Sequence, residues 1–129
     1  MSNKEALVVT TDIFKLHASF CGIFSSDIRL RIMWLLAEGE KTVTELANAL
    51  SITVANVSQH LSIMRSLGAV ASRREGRAIY YHIANQKFFQ GAVLIREGLL
   101  EEMQKRLNAV QSQQNMQETE VEHEEIIAD

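Results

Sequence analysis

The sequence predicts a mainly α fold with one small β-hairpin: a helix-turn-helix followed by a wing, dimeric through its N- and C-terminal helices. Three observations predict it. Two short, capped helices follow one another across a tight link at Ser51-Ile52. A glycine stop at Gly68 leads into two strand-like runs around Glu75-Gly76. A long amphipathic stretch, residues 85–114, then carries an apolar stripe that outruns the core of so small a domain.

Composition sets the frame. The 129 residues fit one domain with a modest core, and the 47% hydrophobic fraction is ordinary for a folded, soluble chain. No apolar run reaches the roughly 18 residues of a membrane span, so no membrane partner is expected. The first nine residues hold one Lys and no extended apolar run, so no secretory signal is expected. Cys21 is the sole cysteine, which excludes an intrachain disulfide. Together these favour the cytoplasm.

The elements follow in order. Residues 5–24 place Leu7, Val8, Phe14, Ala18 and Cys21 at broadly helical spacing, although Val, Thr and Ile weaken the propensity. Ser25, Ser26 and Asp27 are cap-type residues before a helix over residues 28–38. Ile28, Ile32, Leu35 and Leu36 should face the core there, with Met33 and Trp34 at its edge and Gly39 closing the helix. Thr42 and Glu45 have capping-box spacing ahead of a short helix, Val43–Leu50, that buries Leu46, Ala47 and Leu50. Thr53 caps the next helix, residues 53–67, whose stripe is Val57, Leu61, Met64 and Leu67. Residues 69–74 and Ala78–Ile83 read as the hairpin, with Ile79, Tyr81 and Ile83 on its core face. In residues 85–114 the stripe is Phe88, Ala92, Ile95, Leu99, Met103, Leu107 and Val110. A second copy is the simplest cover for it.

Charge is unevenly distributed. The formal net charge is −3, yet all 13 Lys and Arg precede residue 118, leaving residues 1–117 at +3. Residues 118–129 hold six acids and read as an acidic, solvated, disordered tail beyond a domain spanning 1–117. Local charge sets the field that a phosphate backbone meets, so the acidic total does not exclude nucleic acid. In a helix-turn-helix the second helix enters the major groove of double-stranded DNA. The residues expected to face bases or nearby phosphate are Thr53, Val54, Asn56, Ser58, Gln59, Ser62 and Arg65. Arg73, Arg74 and Arg77 crowd the hairpin tip, where cations on a rigid arm can grip phosphate, although charge there can also simply keep an edge strand soluble. Arg29 and Arg31 are secondary candidates for phosphate, with helix-surface ion pairing the commoner role.

Residues 28–83 resemble the ArsR/SmtB family of winged helix-turn-helix repressors. The resemblance runs through Arg29-Leu30-Arg31-Ile32, the run Leu35-Leu36-Ala37-Glu38-Gly39, and Thr44 to Leu50. It continues in Val57-Ser58-Gln59-His60-Leu61, then Leu67-Gly68-Ala69-Val70, and Arg74 to Tyr81. It implies a homodimeric repressor on a pseudo-palindromic operator, released by a signal. It also implies, for many members, metal sensing through cysteines of the third helix or His and acidic groups of the last. Here Val43–Leu50 has no Cys, residues 85–114 have no His, and Asp27-Ile28 stands where a proline is usual. No cofactor is therefore assigned. The weak metal candidates are His17 and Cys21, spaced i, i+4, with His123 a weaker one; a small core thiol is the commoner fate of such a Cys. His60 is expected to brace the recognition helix, and His82 has no evident partner. No catalytic motif occurs, so an enzyme is not expected. Two alternatives stay open: a winged helix kept as a protein-interaction module, and a constitutive regulator without ligand sensing.

Overall fold

Asp12 begins the part of the chain that the computed structural model describes, residues 12–128. Its side chain accepts from the amides of Phe14 and Lys15 at 3.1 and 3.2 Å, capping α1, Ile13–Cys21. A 3₁₀ turn, Gly22–Ser25, extends it. The early part of the expected first helix, residues 5–11, lies outside the described residues. Ser26 caps α2, Asp27–Ala37, which Glu38 closes as C-cap, and Gly39 follows with a positive φ of 150°. Met33 is fully buried beside Ile32 and Leu36, whereas Leu35 is half-buried, so the apolar face is turned from the one expected. Two consecutive core residues widen the stripe because α2 is covered from more than one side, by α3, α4 and the hairpin.

Thr42 and Glu45 form both halves of the capping box at the start of α3, Val43–Leu50. The turn to the next helix passes through Ser51, a non-glycine residue at φ 56°. The Ile52 amide donates back to the Ala47 carbonyl at 3.1 Å, closing that turn. Thr53 accepts from the Asn56 amide at 3.1 Å and caps α4, Val54–Ser66. Val57, Leu61 and Met64 are fully buried. Leu67, expected to extend this stripe, is 38% exposed because it is the C-cap, where the chain turns away through Gly68 at φ 81°.

The hairpin pairs β1, Val70–Glu75, with β2, Ala78–Ile83, antiparallel from Val70↔Ile83 to Glu75↔Ala78. Its turn is Gly76-Arg77, one residue later than expected, because Gly76 takes the left-handed φ of 61° at the first turn position. Alternation holds at the base, where Val70 and Ile83 are buried and Tyr81 packs on the core. At the tip Ile79 is 43% exposed, since the arm there has passed the edge of the core. Lys41 adds a bridge that the sequence did not suggest. Its N–H donates to the Tyr81 carbonyl at 3.2 Å, and the Tyr81 N–H donates to its carbonyl at 2.8 Å.

Asn85 starts α5, Gln86–Ala128, by accepting from the Lys87 amide at 2.9 Å. The helix runs past the expected end near residue 114 and includes residues 118–128, for which a disordered tail was expected. Glu, Gln and Met are good helix formers, and neither Gly nor Pro interrupts residues 99–128. The chain divides into two units between Ala92 and Val93. The first holds the core, with Phe20 stacked near Phe88 (4.3 Å) and Trp34 edge-on to Phe89 (4.9 Å). The second is the remainder of α5, where no side chain from 93 to 126 is buried.

Candidate nucleic-acid interface

The site grows out of the way α4 is held. Its apolar edge is locked in the core, so the opposite edge must face outward, as a 3.6-residue period dictates. Thr53, Val54, Ser58, Gln59, Ser62 and Arg65 are all exposed. Asn56 is half-buried on the flank shared with His60 and Ile63, and so is less presented than the rest. The Thr53 hydroxyl is committed to its cap bond. Ser58, Gln59 and Ser62 present one patch of donors and acceptors on the outer surface.

Position along that surface is fixed by a polar tie. Arg29 of α2 donates from Nε to His60 Nδ1 at 3.2 Å and reaches the Gly22 carbonyl at 3.5 Å. One guanidinium thus links the 3₁₀ turn, α2 and α4. His60 braces the helix as expected, and the accepting Nδ1 must be unprotonated for the bond to exist. Arg31 pairs with Asp27 across 3.7 Å of exposed helix surface.

The three arginines of the hairpin separate. β-alternation puts Ala71, Arg73, Glu75, Tyr80 and His82 on the face away from the core. There Arg73 donates to Glu40 Oε2 at 2.6 Å and to Glu75 Oε2 at 2.8 Å, and its guanidinium lies 4.9 Å from the Tyr80 ring centre. Hydrogen bonds to Glu75 and then Glu40 hold its pKa above the ordinary arginine value. Arg74, on the opposite face, and Arg77, in the turn, are exposed and make no ion pair or hydrogen bond among the described residues. Arg74, Arg77 and Arg65 at the end of α4 are thus exposed cations, whereas Arg73 is paired with two carboxylates.

Glu40, Lys41 and His82 were not singled out in sequence as part of this region. Glu40 lies in a loop with no periodicity, and only the shared strand face of Arg73 and His82 hinted at a cluster. His17 and Cys21 are both exposed on α1, so Cys21 is not a core thiol. Among the described residues no group of three or more His, Cys, Asp and Glu is placed to hold a metal ion. For the metal centres that the family resemblance implies, α3 offers no Cys, and the His of α5 is His123, exposed near the end of the helix.

A family profile described as bacterial regulatory protein, arsR family, matches residues 26–72. An uncharacterized HTH-type transcriptional regulator of Mycobacterium tuberculosis, Rv0081, is 38% identical over 73 residues, covering 56% of this chain and 64% of its own length. The cadmium resistance transcriptional regulatory protein CadC of Listeria innocua is 38% identical over 71 residues, covering 54% and 60%. The chain thus spans just under two thirds of the length of these curated relatives. The crystal structure of Rv0081 aligns with TM-score 0.69 and 32% identity, covering 75% of this chain and 98% of that one. The solution structure of a homodimeric winged helix-turn-helix DNA-binding domain from Mycobacterium bovis, described as from a possible ArsR-family regulator, aligns with TM-score 0.64 and 30% identity. It covers 78% of this chain and 88% of that one.

Proposed function

The chain belongs to the ArsR family of bacterial regulatory proteins, and from that premise we propose a homodimeric, sequence-specific DNA-binding repressor acting in the cytoplasm. The α4 helix reads a pseudo-palindromic operator from the major groove. Ser58, Gln59 and Ser62 take the base edges, with Gln59 suited to a bidentate pair with adenine. Thr53, Val54 and Asn56 line the approach. Arg65, Arg74 and Arg77 neutralise phosphate, and the anchored hairpin sets where the last two land. The domain doing this is residues 1–117; residues 118–129 are an acidic appendage to it.

The observation that carries the reading is the outward polar face of α4, held by a buried Val57-Leu61-Met64 edge and the Arg29–His60 tie. DNA from upstream of the protein's own coding region is the natural first probe. A specific complex that is lost when Gln59→Ala is introduced, with non-specific binding retained, supports the reading. Identical binding of upstream and scrambled DNA at all salt concentrations would count against it.

Release requires a signal. The CadC relative's name points to cadmium, but α3 here has no thiolate to offer a soft metal. The inducer is therefore proposed to act away from α3.

A further inference from the structure

We propose that Glu40 is the residue that positions the wing, and that protonation of His82 beside it tightens the grip on DNA. The proposal rests on the DNA-binding reading. His82 Nδ1 is a buried nitrogen with no hydrogen-bond partner among the described residues. Buried polar atoms are seldom left so, and each orphan calls for an explanation. The group facing it is a carboxylate oxygen, Glu40 Oε1, at 3.8 Å. That is too long for a hydrogen bond and short enough for an ion pair once the ring is charged. The other oxygen of the same carboxylate holds Arg73 at 2.6 Å. One carboxylate thus stands between a permanent cation and a switchable one.

Glu40 is well placed to control the arm. The adjacent Lys41 is backbone-paired to Tyr81, so the loop after α2 grips β2 through its main chain and β1 through the Glu40–Arg73 pair. Among the described residues the charged group set against His82 is Glu40; Glu40 is shared with Arg73, which also pairs with Glu75 on β1, and the neighbouring Lys41 pairs with Glu38. With a neutral imidazole, Glu40, Glu75 and Arg73 sum to one negative charge along one face of an arm whose outer cations meet phosphate. A proton on His82 cancels that charge. It also divides Glu40 between two cations, freeing Arg73 to turn outward. Both effects act in the same direction, so affinity is higher with His82 protonated than with it neutral. His60 opposes this, because its Nδ1 accepts from Arg29 and a proton there sets two cations side by side. Comparison of chains that both retain His60 removes that contribution.

The test measures operator affinity of the full chain at about pH 8 and about pH 5.5 at fixed ionic strength. The parent should gain roughly threefold to tenfold more on acidification than His82→Gln does, the scale of one partly screened charge per wing. In a Glu40→Gln background, His82→Gln should reduce the acid gain by less than it does in the parent, because the added charge remains and the release of Arg73 does not. A merely structural role for His82 would shift affinity equally at both pH values, and equal acid gains in parent and His82→Gln overturn the proposal. A second readout needs no DNA: the Arg73 Nε–H resonance should move with pH in the parent and stay still in His82→Gln. If it ignores pH in the parent, the coupling is absent whatever the DNA result. A parent without specific DNA binding at any pH instead overturns the underlying reading, and this proposal with it.

Discussion

In the proposed reading, Gln59 supplies specificity while Arg74 and Arg77 supply affinity. A side-chain amide aimed at a base edge contributes about 1–3 kcal/mol of discrimination, whereas a cation on phosphate contributes to every sequence alike. Gln59→Ala should therefore lower the ratio of operator to scrambled-DNA affinity by roughly 10-fold to 100-fold for each half-site, read by fluorescence anisotropy with both duplexes. Arg74→Ala should weaken both duplexes together. Each lost phosphate contact removes about 0.9 from the slope of log K against log salt, so a dimer losing two should be shallower by about 1.8. Arg73→Ala at neutral pH should leave that slope nearly unchanged, because its guanidinium is already spent on Glu40 and Glu75. The three arginines are indistinguishable in sequence, being crowded within five residues. What separates them is strand alternation combined with a loop carboxylate more than 30 positions away, and neither composition nor spacing carries the second term.

At the scale of elements, the helix-turn-helix depends on its caps and its one strained turn. Thr53→Ala removes the bond to the Asn56 amide and should lower stability by about 1 kcal/mol, fraying the N-terminal end of α4. Urea unfolding measures the first effect, and hydrogen exchange at residues 54–57 the second. Ser51 adopts φ 56°, a conformation that costs a residue with a side chain about 1–2 kcal/mol. Ser51→Val should destabilise by at least that much, since β-branching worsens the crowding, while Ser51→Gly should be neutral or mildly stabilising. A Ser51→Val chain as stable as the parent would contradict this account of the turn.

The caps, helix order and hairpin were legible because each rests on local chemistry: Thr42 with Glu45, Thr53 with Asn56, and glycine where φ is positive. Three details were not. Met33 lies in the core because three elements converge on α2, a tertiary fact no single-helix period reveals. The Lys41–Tyr81 bridge is a pair of backbone hydrogen bonds, indifferent to side-chain type. The helix from residue 115 to 128 was hidden by its own acidity, which resembles a solvated tail in composition while its Glu and Gln content favours a helix.

For the whole molecule, the open question is what covers α5. Leu99, Met103, Leu107 and Val110 share one face, and all are more than half exposed apart from Val110 at 50%. Our proposal assigns this face to a second copy, joined by α1, where Phe14 is 83% exposed. Met103→Glu with Leu107→Glu should convert the dimer to monomer in sedimentation and abolish operator binding while the circular dichroism stays helical. Deleting residues 118–129 removes six acids and should tighten non-specific binding at low salt; unchanged affinity would mean that this charge does not reach the DNA site.

The measurement that bears most directly on the central claim is a hydroxyl-radical and methylation footprint of the full chain on its own upstream DNA. Two recognition helices related by a two-fold axis should protect two major-groove segments on one face of the duplex, about 10–10.5 base pairs or a multiple of that apart. Gln59→Ala should lose the base-specific methylation protection in both halves together. A single protected segment, or protection unaltered by Gln59→Ala, would contradict a symmetric reader built on α4.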